Sequence, residues 1–157
     1  MAIFLPGQTL SAAALQALAA TATYTPTLTA STTNPTLGSG SSALGWHHVN
    51  GRHVTVWFYF RFGSSGAAAG SGLYYVSGPP GYQATAGFPD ISLGLARAID
   101  DSGATERTLS ILSSGNVGTS NRVAFNNIVT FGYVGDTVPW TWANLDILAG
   151  SYSFLTD

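Results

Sequence analysis

Three histidines, seven carboxylates and four tryptophans are the side chains through which this sequence could do chemistry. His47 and His48 are consecutive on an extended segment, so they leave opposite faces and cannot chelate one metal together. His48 and His53 flank Asn50-Gly51, and a hairpin turning there makes them cross-strand neighbours with Cβ atoms about 4.5–5.5 Å apart. Two imidazoles are half of a closed zinc site, which takes four ligands. A metal there would need nitrogens from other chains around a symmetry axis, and stacking beside Trp46 and Trp57 is the simpler reading. No metal and no cofactor is expected.

The acids are Asp90, Asp100, Asp101, Glu106, Asp136, Asp146 and Asp157. Glycoside hydrolysis needs two carboxyls flanking a sugar bond, roughly 5–9.5 Å apart. Asp100, Asp101 and Glu106 instead cluster near one turn, where carboxylates bond to backbone N–H groups. The chain has no GxSxG elbow, HExxH helix or EF-hand loop. The Gly-rich stretches Gly38–Gly40 and Gly63–Gly72 lack the spacing and following helix of a phosphate loop, and read as flexible loops. No catalytic residue is assigned and the chain is not read as an enzyme. Trp140-Thr141-Trp142 would put two indoles on one side of a strand. There they could stack on a sugar ring or, more simply, be buried in a core or a subunit contact.

Strands must position these residues. Leu44–Val49 and Arg52–Phe62 flank Asn50-Gly51, a strong hairpin signal. With a two-residue turn, Val49 opposes Arg52, His48 opposes His53 and Trp46 opposes Thr55. Val54, Val56, Phe58, Phe60 and Phe62 then share a core face. The other face carries His53, Thr55, Trp57, Tyr59 and Arg61, joined by Trp46 and His48. Such large aromatics do not suit a solvated sheet surface. Either this face is an interface or the strand is buried on both sides within one domain.

Thr21–Ala30 alternates with a period of two and carries Pro26, which assigns it to a sheet edge or an extended arm. Ile91–Ile99 reads as a strand with Ile91, Leu93, Leu95 and Ile99 inward and Ser92, Gly94, Ala96 and Ala98 outward. Leu73–Ser77, Glu106–Ser113, Arg122–Tyr133 and Ile147–Leu155 are further strands. Ahead of them, Phe4 and Leu5 form an apolar lead-in, and a short helix over Ala12–Ala20 aligns Leu15 with Leu18. The expected fold is all-β: an antiparallel β-sandwich or jelly roll over residues 23–157, preceded by an anchor segment over residues 1–22.

Composition narrows the function. Of 157 residues only 8% are charged, the net charge is −2, and Arg52, Arg61, Arg97, Arg107 and Arg122 are the only fixed cations. No basic footprint for nucleic acid exists. No apolar run of about 20 residues is available to span a bilayer. Met1–Ala20 has no cationic start and is interrupted by Pro6-Gly7, unlike a secretory signal. A surface so poor in charge suits a chain packed against copies of itself or a larger assembly.

Several segments resemble a family. Tyr24-Thr-Pro-Thr-Leu-Thr-Ala followed by Thr33-Asn-Pro-Thr-Leu-Gly-Ser-Gly is similar to a stretch in minor tail and capsid decoration proteins of phages infecting actinobacteria. The pair Gly45-Trp…Val49-Asn-Gly-Arg…Val54-Thr-Val-Trp-Phe resembles that family's aromatic hairpin. Phe62-Gly-Ser-Ser-Gly…Ala69-Gly-Ser-Gly-Leu-Tyr and Pro139-Trp-Thr-Trp-Ala-Asn-Leu-Asp-Ile-Leu…Gly150-Ser-Tyr continue the likeness, which covers about Tyr24–Tyr152. It implies a β-rich, often trimeric module on the virion surface and transfers no catalytic residue. The short lead-in, with Phe4, Leu5, Leu15 and Leu18 as anchors, fits direct attachment to a preassembled lattice. The expectation is therefore a head decoration or minor capsid protein on the outer surface of the virion, trimeric, with the major capsid protein as partner. The alternative is a minor tail or fibre protein that binds host glycans. Trp46, His48, His53, Trp57 and Tyr59 are the expected interface residues, and Trp140 and Trp142 the candidate glycan or interface aromatics.

Overall fold

The computed structural model describes residues 21–83, 92–113, 121–129 and 132–156. The anchor residues Phe4, Leu5, Leu15 and Leu18 and the expected short helix lie outside the described residues.

Among the described residues ten strands form one antiparallel sheet: β1 (Thr21–Tyr24), β2 (Leu28–Ala30), β3 (Ser42–Asn50), β4 (His53–Arg61), β5 (Tyr74–Ser77), β6 (Ser92–Asp100), β7 (Thr105–Ser113), β8 (Arg122–Asn127), β9 (Gly132–Tyr133) and β10 (Ile147–Leu155). Their spatial order is β1-β3-β4-β10-β6-β7-β8-β5-β2, with β9 on β8. The all-β antiparallel expectation holds, and the sheet curls so that its two halves face one another across one core. Phe58 on β4 meets Phe125 on β8, ring centroids 5.9 Å apart, although three strands separate β4 from β8 along the ladder.

Alternation on β4 explains the curl. Val54, Val56, Phe58, Phe60 and Phe62 all point inward and are buried. Each such side chain contributes about 1.5–3 kcal/mol when removed from water, and no flat sheet can cover five of them on one strand. Leu148, Tyr152 and Phe154 of β10, Leu109 and Ile111 of β7, Val123 and Phe125 of β8, and Tyr74 and Val76 of β5 complete the core.

The Thr21–Ala30 stretch splits into β1 and β2, one at each edge of the sheet. Pro26 explains the break, since it has no N–H for a ladder. The link 25–27 therefore spans the mouth of the curl. Ser77 at the end of β5 ties it: its N–H donates to the Thr27 carbonyl at 3.0 Å, and its Oγ accepts from the Thr27 N–H at 2.9 Å. The Tyr24 hydroxyl donates to the Ser77 carbonyl at 3.3 Å. Burial pushes that phenol up to about 12, against a smaller opposing effect of its bond with Tyr152. Gly45 leaves room for the Tyr24 ring, which would sit 2.5 Å from any Cβ there.

Two sequence expectations are corrected here. On β6 the inward residues are Ala96 and Ala98, while Leu95 and Arg97 face solvent. Arg97 belongs outside with its partner Glu106, and a period of two carries Leu95 outward with it. The stretch Gly63–Gly72 is not free: it zips against the preceding Gly-rich loop through bridges Thr33–Ser71, Thr36–Ala68 and Ser39–Ser65. Glycine is needed at residue 63 because a Cβ would lie 2.1 Å from the Ser39 carbonyl oxygen.

Candidate interaction surface

The hairpin that carries the aromatic face closes one residue later than its sequence suggests. Asn50 pairs with His53, and Gly51-Arg52 forms the turn. Gly51 has φ +62° and Arg52 is not left-handed, the pattern of a turn with glycine in its first central position. The register is therefore Val49–Val54, His48–Thr55, Trp46–Trp57 and Leu44–Tyr59. Each pairing moves by two along β4, so every side chain keeps the face expected of it.

The shift separates the two histidines. His48 opposes Thr55 and its Nδ1 lies 3.2 Å from the Thr21 hydroxyl, while His53 sits beside the turn opposite Asn50. They are diagonal neighbours, not a directly opposed pair. Among the described residues no group of three His, Cys, Asp or Glu side chains could hold a metal ion.

The shift also puts the indoles of Trp46 and Trp57 directly opposite one another. Of each, 39% and 43% is exposed. Leu44, 47% exposed, stands across from Tyr59, and Leu95, 59% exposed, lies two strands beyond Trp57, across Ser151 of β10. Leu44, Trp46, Trp57 and Tyr59 form an apolar strip over β3 and β4 on the convex side of the curl, with Leu95 of β6 on the far side of Ser151. Other exposed apolar groups are dispersed: Leu73 before β5, Ile128, Val129 and Tyr133 around the β8–β9 turn, and Leu155 at the end of β10. Single exposed apolar residues are ordinary; a strip is not.

Its border is polar but nearly uncharged. Thr23 flanks Trp46 on β1, Thr55 bonds Ser153 at 3.1 Å, and Ser92 bonds Ser110 at 2.8 Å. Arg97 is held by Glu106. Arg61 lies at one corner, opposite Ser42 and Ile147. Beside Trp46, residues Thr23, Tyr24, Thr25, Ala43, Leu44 and Gly45 line an open groove of about 360 Å³. Leu44 and Leu95 are not among the interface residues expected from sequence; the signal for Leu95 is Arg97, two positions along the same face, which belongs in solvent with Glu106.

Trp140 and Trp142 are corrected as surface candidates. Residues 139–146 are irregular, and the two indoles do meet, at 5.7 Å between centroids, but on the inside. Trp142 is buried, stacks on Phe62 at 5.6 Å, and donates Nε1–H to the Gly135 carbonyl at 3.0 Å. Trp140, half-buried, donates Nε1–H to Asp146 at 3.1 Å. The fully buried Asp146 carboxylate also accepts from the N–H groups of Ala143 at 2.9 Å and Asp101 at 3.1 Å. Its role is to fold this segment. Asp100 likewise closes a turn, accepting from the Ser102 hydroxyl and the Gly103 N–H. The Gly103 bond first, then the Ser102 hydroxyl, holds its carboxyl below the usual carboxylate range.

The class defined by these features is an all-β module with one curled antiparallel sheet and an aromatic convex face. No family model, curated protein or solved structure matches the chain.

Proposed function

We propose that this chain is a structural protein of a bacteriophage particle, a head decoration or minor capsid protein that binds the major capsid lattice as a trimer and stabilises the shell from its outer surface. The strip of Leu44, Trp46, Trp57 and Tyr59, with Leu95 beyond Ser151, carries the reading. Apolar, poor in charge and built on a rigid sheet, it has the make-up of the central part of a protein–protein interface, where aromatic residues are enriched and charges depleted. The resemblance of Tyr24–Tyr152 to virion surface modules supports the choice of particle.

Purified particles analysed by mass spectrometry and direct imaging test this. The expected result is hundreds of copies on the head, lost when Trp46 and Trp57 are both replaced by Ser or when Met1–Ala20 is deleted. A few copies confined to the tail would overturn it. One observation favours a second reading, a tail protein that adheres to host glycans. Trp46 and Trp57 are open to solvent and bordered by the hydroxyls of Thr23, Thr55 and Ser151, an arrangement on which a sugar ring can stack and hydrogen-bond. Saturable quenching of tryptophan fluorescence by cell-wall polysaccharide, lost in Trp57→Ser, is its signature.

A further inference from the structure

His47 is the one histidine that faces inward. Its ring is buried, and its Nδ1 has no hydrogen-bond partner. It is flanked by Tyr24, 6.0 Å away edge-on, and by Tyr82, 5.3 Å away and tilted. In the ladder it pairs with Ala22 of β1 on one side and Val56 of β4 on the other. Among the described residues the titratable groups facing it are phenols: Tyr24 from β1, Tyr82 from the segment after β5, and Tyr152 of β10 behind Tyr24. Strand β4 presents Val54, Val56 and Phe58 to it, and β3 contributes Gly45 and Val49 on the same face. Phenols carry no charge near neutral pH, so none of these groups can balance an imidazolium.

We propose that His47 is a proton-sensitive lock on the β1 edge of the sheet. Neutral, it packs under Tyr24 and holds β1 against β3. Protonated, it acquires a charge and an N–H donor at Nδ1, for which the described residues offer no acceptor, and it must reach water. The cover that gives way is β1, which is four residues long, paired on one side only and mostly exposed. Release of β1 bares the edge of β3 and dismantles the groove beside Trp46. The lowered proton affinity that burial imposes on this imidazole points the same way. The lock does not depend on what the convex strip binds.

The test is NMR on the full chain between about pH 7.5 and pH 4.5, a range that spans the ordinary imidazole pKa of about 6.5. It follows the three histidine rings together with amide exchange in β1 and β10. His47 is expected to titrate below the ordinary imidazole value of about 6.5. Exchange at Ala22–Tyr24, taken relative to β10 at each pH, is expected to rise about tenfold as His47 gains its proton. That is about 1.4 kcal/mol of local stability. In His47→Phe, which keeps a ring and has no proton to gain, the ratio stays flat. The proposal is overturned if His47 titrates at or above about 6.5, or if the β1 ratio does not change. The same rise in His47→Phe would also overturn it. Should that variant not fold, the wild-type titration and exchange ratio decide alone.

Discussion

At the scale of single residues, identical side chains do opposite work. Trp142 is core, so Trp142→Ala is expected to cost about 3–5 kcal/mol in a urea titration. Trp57→Ser, on the convex face, is expected to change stability by less than about 1 kcal/mol while abolishing docking. A large loss of stability in Trp57→Ser would make that indole structural. Asp146→Ala leaves three donors without an acceptor, the N–H groups of Trp140, Ala143 and Asp101. A loss of about 1–3 kcal/mol is expected in a urea titration, since the three donors are only part-buried and water can reach some of them. The sequence distinguishes these tryptophans only through context. Trp46 and Trp57 sit in clean alternation opposite a Val/Phe face, which fixes their side of the sheet. Trp142 sits after Pro139 in a segment with no alternation, and its burial depends on Asp146 and Gly135, contacts that no local pattern reveals.

At the scale of elements, strand identity and facing were legible wherever alternation was strong. All ten residues assigned to the two faces of β4 lie where they were placed, because a period of two leaves no other choice once one face is aromatic. Register was not legible. Asn50-Gly51 suggests a turn with both residues left-handed, yet only Gly51 is. The two arrangements differ by a single step at the turn, and pairing across the whole ladder decides between them. Gly51→Ala is therefore expected to cost about 1–2 kcal/mol, the cost of a left-handed residue with a Cβ. Asn50→Ala should cost far less. Equal losses in thermal melts would restore the Asn-Gly turn. On β6 Leu95 shares the outward face with Arg97, whereas Leu93, at the register shift between Ser92 and Gly94, packs against the core as its alternation suggests.

At the scale of the whole molecule, the convex strip predicts association. In light scattering the purified chain is expected to gain mass with concentration, and the Trp46→Ser, Trp57→Ser double variant to remain monomeric. A concentration-independent monomer would remove the copies of this chain as occupants of the face. Acidity acts on the fold through His47. Its affinity for protons is lower folded than unfolded, so the unfolded chain takes up the proton first. Stability is full above about pH 6.5, falls as pH drops below that value, and levels off once the folded form is protonated too. At the alkaline end the signs reverse in origin but not in outcome. Tyr24 is raised to about 12, so stability is intact below about pH 10 and is lost as pH climbs from there through about 12. Denaturant midpoints measured across pH would show both shoulders.

The three residues that bridge β1 and β2 have a mechanical consequence. Because they join the first and last strands of the ladder, the two borders of the curled sheet are held together by the chain itself. Tension on β1 from its leading end peels it from β3 until it reaches this stitch, where the load passes through Thr27 and Ser77 to the far border of the sheet. A single protease cut at the stitch would leave the two borders as loose rims tied, among the described residues, only by the Tyr24–Ser77 hydrogen bond.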